Sequence, residues 1–516
     1  MTDTASPRRW TPITLAAVVL PLMLIYIAFM RIDAANADLE ITKHQVGPTP
    51  VTLYWADAAP RDGAMPVVII AHGFAGSQQL MQPFAVTLAK SGYVAVTFDF
   101  YGHGRNLRAL AGDVTQVEGA TRELVAQMGE VVEWARRLPG TGRGLSVLGH
   151  SMASDIVVRY AQQDLRVDGT VAVSMFSPAV TAESPGNLLV IVGGLEGFLK
   201  QEALRVLGLV TDNPEAGVTV GEFDENTARR VAVAEGVEHV GVLYSVTSMR
   251  EASQWLNTMN HMHPPTYADS RGLAIVLLVL GLVLLAWPLS RVLPTVAEPA
   301  VGAALPWKQL LPAALIPAIG TPLLLAPFPA DFLGVLVGGY LAVHFLVYGL
   351  LTALCLWWLG RGQDRPKRST NGVALGVAAV AATAYVAGVV AWAMDTQVTS
   401  FAITTQRVPI AAMMFAGTLC YFLTDEWLTR GEQHARGGHL FTRFCFLLSL
   451  GLAVALSFED LFFLVIIAGI IVIYFFVYGL FSRWIYSATG HPAVGALANA
   501  VAFAWALAAV FPMLSG

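Results

Sequence analysis

Charge is scarce in this chain. Asp, Glu, Lys and Arg make up 13% of the residues and apolar types 55%, where an ordinary soluble protein is about 25% charged. Cysteine is scarcer still, with Cys355, Cys420 and Cys445 the only three. All lie in the second half, so a disulfide scaffold and a cysteine-rich zinc site are excluded from the first. Inside apolar runs these thiols read as packing residues. The net charge of -5 supplies no basic surface of the kind that binds nucleic acid.

The shortage of charge is uneven. Residues 40–270 hold most of the ionisable side chains, whereas 271–516 is a series of long apolar runs broken by short charged loops. That division implies one soluble domain and one polytopic membrane domain. The first apolar run, 11–30, follows Arg8 and Arg9. Twenty residues at 1.5 Å each just span the hydrocarbon layer. The reading favours an uncleaved anchor at 1–30, with a signal peptide cut near Ala35-Asn36-Ala37 as the alternative. Eight further runs, near 272–290, 307–326, 331–359, 371–394, 408–424, 442–458, 461–482 and 492–514, bring the expected spans to nine.

The basic residues give these spans a direction. If Arg8 and Arg9 are cytoplasmic, the next loops on that side hold Arg291, then Arg361, Arg365, Lys367 and Arg368, then Arg430, Arg436 and Arg443, then Arg483. The opposite loops are nearly free of base. The positive-inside rule therefore puts 31–270 and the C-terminus outside the cytoplasm, as in a bacterial inner-membrane protein with a periplasmic domain. The tetrapeptide Val-Tyr-Gly-Leu occurs at 347–350 and again at 477–480, in runs opened by Asp331 and Asp460. It reads equally as the trace of an internal repeat and as coincidence in an apolar alphabet. His344 lies within a span, where a histidine serves either function or a helix–helix hydrogen bond. No span shows a carboxylate series or paired charges. Pro312, Pro317, Pro322, Pro327 and Pro329 predict a kinked or partly re-entrant third span.

In the soluble half, apolar runs alternate with helical stretches. Val67–Ala71, Tyr93–Phe98, Leu145–Leu148, Thr170–Met175, Leu188–Val192 and Arg229–Ala234 read as strands. Stretches near 78–91, 116–138, 152–163, 196–209 and 249–259 read as helices. This is the pattern of a mainly parallel sheet covered on both faces. Ligands of such sheets sit beyond the carboxyl ends of the strands. Ser151 stands there, between strand and helix, with Gly149 two residues before it. A sharp turn at that place lifts a serine Oγ clear of the sheet. A serine hydroxyl needs a base to become a nucleophile and N–H donors to hold the oxyanion that forms. His239, after Arg229–Ala234, is the candidate base, and Glu196, after Leu188–Val192, is the candidate acid, with Asp99 and Glu238 as rivals. His72 and His103 follow earlier strands, and the turn should aim His150 elsewhere. Phe74 and Met152 N–H groups are the candidate oxyanion donors.

Residues 50–262 resemble the α/β-hydrolase superfamily, in its esterase, dienelactone-hydrolase-like and serine-aminopeptidase-like branches. HGFAG at 72–76 is similar to the family's oxyanion loop, DFYGHG at 99–104 to its D-x-x-G-x-G stretch, and GHSMA at 149–153 to its nucleophile elbow. G-x-x-E at 193–196 is similar to G-x-x-D with glutamate substituted, and EHVGVLYS at 238–245 to the histidine loop. Ala153 stands where the elbow usually has its second glycine. The resemblance implies a hydrolase fold for the domain at 40–265, which the basic loops place outside the cytoplasm, and it does not extend to the membrane domain of about eight helices at 271–516. It further implies covalent acyl chemistry through Ser151, His239 and Glu196 without metal or organic cofactor. Tethering at both ends close to the bilayer favours an ester, small or lipid-derived. A peptidase using the same triad, a transporter with an accessory hydrolase, and a non-catalytic binding module are the alternatives. The segment 197–228, with Phe198, Leu199, Leu204, Leu207 and Leu209, is the only room for a cap.

Overall fold

The computed structural model describes residues 12–57, 65–113, 116–328, 333–361, 369–432 and 434–515. Arg8, Arg9, Pro329, Asp331, Arg365, Lys367 and Arg368 lie outside them. The chain divides into two compact units. One unites Phe29–Ile275 with Met394–Thr404 and the residues from Val510 onward, and the other holds the remaining apolar helices.

The first unit is built on one nine-stranded sheet. Its strands are β1 (Leu39–Val46), β2 (Thr49–Ala56), β3 (Met65–Ala71), β4 (Val94–Phe98), β5 (Thr141–His150), β6 (Val167–Val173), β7 (Leu188–Gly193), β8 (Thr219–Val220) and β9 (Arg229–Ala234). They lie in the order β1-β2-β4-β3-β5-β6-β7-β9-β8. From β4 to β9 every neighbouring pair is parallel, while β1, β2 and β8 are antiparallel additions at the two edges. Parallel strands need crossovers, and these supply helices that bury the sheet on both faces. β3 and β4 are accordingly buried along their whole length. The crossover helices are α2 (Gln82–Lys90), α3 (Arg122–Arg136), α4 (Met152–Gln163), α5 (Gly197–Leu207) and α6 (Val246–Met259), following the N-terminal α1 (Pro12–Asn36).

The expected strands are all present, and the β1–β2 hairpin is an addition. β1 reads Leu-Glu-Ile-Thr-Lys-His-Gln-Val and is mostly exposed, so it carries no apolar signal. Its turn is set by Gly47 at φ +55°, a conformation that costs glycine little. At the start of α7 (Arg271–Ser290), Arg271 is buried and pairs with Asp269 through Nε at 2.6 Å. Its other nitrogens reach Gln82 Oε1 at 2.5 Å and Asn36 Oδ1 at 2.9 Å. One guanidinium thereby ties the two ends of the hydrolase segment together. Asn36 is the middle residue of the alternative cleavage site.

The second unit is all helical. Besides α7 it contains α8 (Trp307–Leu325), α9 (Gly338–Gly360), α10 (Gly372–Thr383), α11 (Val390–Gln397), α12 (Val408–Thr429), α13 (Gly438–Leu456), α14 (Phe458–Thr489) and α15 (Pro492–Val510). Among the described residues nine helices are long and apolar enough to cross a membrane, α1 included and α10–α11 counted as one. The prolines do not break the third span, for α8 runs unbroken through Pro312, Pro317 and Pro322. Within that stretch the Tyr348 hydroxyl donates to the Ala314 carbonyl at 3.4 Å.

One open alternative is decided and one expectation changes. His344 is fully buried and contacts Ser449 Oγ at 3.1 Å and Tyr340 Oη at 3.3 Å, so it takes the helix–helix hydrogen bond. Paired charges do occur, because α12 continues past residue 424 and buries Asp425 and Glu426. Glu426 accepts from Arg430 Nε at 2.8 Å and from Arg443 Nη2 at 3.1 Å. Gly479 leaves the space that the Arg443 guanidinium fills, whereas Gly349 lets the backbone of α12 approach α9. The two Val-Tyr-Gly-Leu tetrapeptides thus serve different contacts. Removing one partner of a buried ion pair costs about 3–5 kcal/mol. Glu426→Ala is therefore expected to lower the thermal unfolding midpoint of the purified protein sharply. An unchanged midpoint would show that the two arginines do not depend on it.

Candidate active site

The site begins with a turn that few residues tolerate. β5 ends at His150, and Ser151 follows at φ 55° and ψ −119° before α4 starts. This strained geometry holds because both sides are fixed. Ser151 N–H donates to the Val173 carbonyl at 2.9 Å, and the Ser154 hydroxyl donates to the Ser151 carbonyl at 2.6 Å. A Cβ at Gly149 would collide with the Ala153 carbonyl, so the glycine before the serine is required. Ala153 is fully buried, and its methyl fits where a second glycine was expected. Strain stored at a side chain lifted from a sheet is a feature of functional sites.

The structure brings Ser151, His239 and Glu196 into one chain of hydrogen bonds. Ser151 Oγ lies 2.8 Å from His239 Nε2, and His239 Nδ1 lies 2.5 Å from Glu196 Oε1. Nδ1–H donates to the carboxylate, which leaves Nε2 to accept the serine proton. The second Glu196 oxygen accepts from Gly193 N–H and from the Ser174 hydroxyl, each at 2.7 Å. Burial alone would raise the Glu196 pKa, but the hydrogen bonds from His239, Ser174 and Gly193 outweigh it and hold the carboxyl below its ordinary value. The His239 side chain is 31% exposed and that of Glu196 only 5%. The imidazole is open to solvent and the carboxylate is sealed behind it.

Ser174 had no signal in the sequence. It sits just past β6 with φ 50°, and that left-handed turn aims its hydroxyl at Glu196. His150 was expected to point away, and it does: Nε2 donates to the His239 carbonyl at 2.9 Å. Burial, then the charge of His239, pushes the His150 pKa down to about 3, so it is a neutral prop for the histidine loop. His72 is likewise held neutral by burial; it accepts from Phe100 N–H and donates to the Gly73 carbonyl. His103 turns its Nδ1 to the Tyr101 carbonyl at 2.9 Å. The rival acids are engaged elsewhere. Asp99 accepts from Gln78 N–H and Arg105 N–H, and Glu238 caps its own turn through Val240 N–H and Gly241 N–H.

The HGFAG loop abuts the nucleophile turn. A Cβ on Gly73 would lie 3.0 Å from Ser151 Cβ and 3.0 Å from the His150 carbonyl. Phe74 therefore follows a residue packed directly on the elbow. Met152 opens α4, and a first-turn N–H has no intrahelical acceptor. The residues that flank Ser174 and Glu196 in sequence give an apolar rim: Phe176, Leu195 and Phe198 are 52%, 68% and 67% exposed, and the Phe176 and Phe198 rings lie 5.9 Å apart. α5 turns Ala203, Val206 and Leu207 into the core and leaves Phe198 at the surface. Among the described residues no three His, Cys, Asp or Glu are grouped so as to hold a metal.

The family model described as serine aminopeptidase, S33 matches residues 63–215. A Salmonella typhimurium protein named "Putative carboxymethylenebutenolidase" is 24% identical over 186 residues, which are 32% of this chain and 69% of that protein. Among solved structures, a dienelactone hydrolase from Anabaena variabilis is similar at 17% identity, covering 44% of this chain and 97% of that one, with a TM-score of 0.31. A bacterial membrane phospholipase A is similar at 14% identity, covering 48% and 94%, with a TM-score of 0.28.

Proposed function

We propose, on the premise that residues 63–215 are an α/β-hydrolase-superfamily segment and the chain a serine hydrolase, that it cleaves a carboxylic ester with an apolar acyl group through Ser151, His239 and Glu196. The unbroken hydrogen-bond chain from Glu196 through His239 to Ser151 carries this reading. His239 Nε2 takes the Ser151 proton as Oγ attacks the acyl carbonyl. Phe74 and Met152 N–H groups hold the oxyanion, and Glu196 faces the imidazolium. His239 then protonates the departing alkoxide. Water, deprotonated by the same histidine, attacks the acyl-enzyme and frees the acid.

The rim favours acyl chains over peptides. Phe176, Leu195 and Phe198 offer apolar surface beside the triad. An aminopeptidase needs a carboxylate for the substrate's ammonium group, and two candidates are engaged elsewhere. Asp155 pairs with Arg159 at 2.7 Å and accepts from Ser177 at 2.6 Å, and Glu238 caps its own turn. The domain acts outside the cytoplasm. The alternation of basic loops supports that side, and Met394–Thr404 and the C-terminal segment group with the hydrolase unit. Four and eight spans separate those segments from residue 270, so all three share one side. A panel of p-nitrophenyl esters of rising chain length, phospholipid vesicles and aminoacyl p-nitroanilides tests the substrate class. Esters with chains of about eight carbons are expected to exceed aminoacyl amides in kcat/KM by about 10²-fold or more. The reverse ranking would replace the esterase reading with a peptidase.

A further inference from the structure

Two segments remote from the hydrolase sequence are built into its unit, and both land on the same pair of loops. From the C-terminal segment, the Met513 carbonyl accepts from Leu110 N–H at 2.9 Å, Met513 N–H donates to the Gly102 carbonyl at 2.9 Å, and Ser515 N–H donates to the Leu110 carbonyl at 2.8 Å. Gly102, at φ +76°, has no room for a Cβ against the Met513 carbonyl. Phe511 is 3% exposed, and its ring meets the Phe74 ring edge-on at 6.5 Å. Phe74 in turn meets His103 edge-on at 6.3 Å. From the other segment, Ser77 Oγ lies 3.0 Å from Thr399 Oγ1 and accepts from Ser400 N–H at 2.8 Å. Arg105 pairs with Asp395, and Gln79 reaches the Asp395 carbonyl at 3.4 Å.

The loops held are 72–81, after β3, and 99–110, after β4. The first carries Gly73, packed on the Ser151 turn, and Phe74, whose N–H is assigned to the oxyanion. Asp99 joins the two loops through Gln78 and Arg105. An oxyanion donor acts only if it is fixed where charge develops, before the reaction begins. The C-terminal segment and Met394–Thr404 add fixed contacts to both loops.

We infer that these two segments are working parts of the acyl-transfer site, and that Phe511 is a positioning residue that sets the oxyanion loop through the Phe74 ring. The inference rests on the triad reading above. It makes the last residues of the chain necessary for the rate of a reaction whose nucleophile lies 360 positions earlier. It also gives the polytopic half a role beyond anchorage, since both segments are continuous with apolar helices, Met394–Thr404 with α11 and the C-terminal segment with α15.

The test uses the full-length protein in detergent or proteoliposomes, with active sites counted by fluorophosphonate titration and kcat expressed per titrated site. Phe511→Ala is expected to lower kcat about 10- to 100-fold while KM for a short soluble ester stays within about twofold, because transition-state binding alone is lost. Phe511→Tyr, which keeps the ring, should retain kcat within about threefold. Asp395→Ala, at the second contact, should lower kcat a few-fold in the same manner. A Phe511→Ala protein with unchanged kcat per titrated site, whatever its yield, would reduce Phe511 to a folding role and overturn the inference. A raised KM at constant kcat would also overturn it, by assigning the ring to substrate binding. Full activity in Ser151→Ala would instead sink the triad reading, a separate and distinguishable failure.

Discussion

Ser151→Ala is expected to lower kcat/KM for ester hydrolysis by about 10⁴-fold or more, with the fold and membrane insertion unchanged. The size follows from what the hydroxyl does. Without it no acyl-enzyme forms, and the oxyanion donors can only assist direct attack by water, which leaves a small residual rate. The substitution removes one oxygen from a partly exposed side chain and keeps the backbone turn, which is anchored through Ser151 N–H and its carbonyl. Thermal stability should therefore stay within about 1 kcal/mol. Steady-state kinetics on a chromogenic ester, beside an unfolding curve, reads both. A loss of less than tenfold would remove Ser151 from the mechanism.

Glu196→Gln is expected to cost about 10²–10⁴-fold in kcat at neutral pH, with little change in KM. The amide has nearly the shape of the carboxylate but carries no charge to face the imidazolium, and it can stabilise the wrong histidine tautomer. The hydrogen bonds from Gly193 N–H and Ser174 to the second oxygen make the position demanding, because an amide nitrogen turned toward them would meet two donors. A pH series supplies an independent readout. The Glu196 carboxyl is held below its ordinary value in the fold, so its ionisation stabilises the folded state above the unfolded glutamate range, near 4.3. That contribution is lost as pH falls through the lowered folded value. The stability gap between wild type and Glu196→Gln should accordingly shrink on acidification below about pH 4.3. A gap that widens there would mean the carboxyl is not engaged as described.

Much of this site is legible in the sequence because it sits where strands end. β3, β4, β5, β6, β7 and β9 are short apolar runs buried on both faces, and their spacing places the residues after them on one edge of the sheet. That edge, taken with the serine–acid–histidine chain order, points to Ser151, Glu196 and His239, with Asp99 and Glu238 left as rival acids. What was not legible has identifiable causes. β1 is too polar to announce itself. Asp425 and Glu426 look like a loop after a span because hydropathy falls there, yet Arg430 and Arg443 both pair with Glu426 and the helix continues. Ser174 depends on a left-handed turn that no residue type marks. The contacts of Phe511 and Asp395 with the active-site loops join positions hundreds of residues apart, and no local pattern encodes such a pairing.

The most direct measurement is the site of covalent modification. The full-length protein in membranes is treated with a fluorophosphonate, digested and mapped by mass spectrometry. One adduct is expected, on the peptide containing Ser151 and on that residue, with labelling abolished in Ser151→Ala and greatly slowed in His239→Ala. An adduct on any other residue, or equal labelling of wild type and Ser151→Ala, would contradict the triad reading.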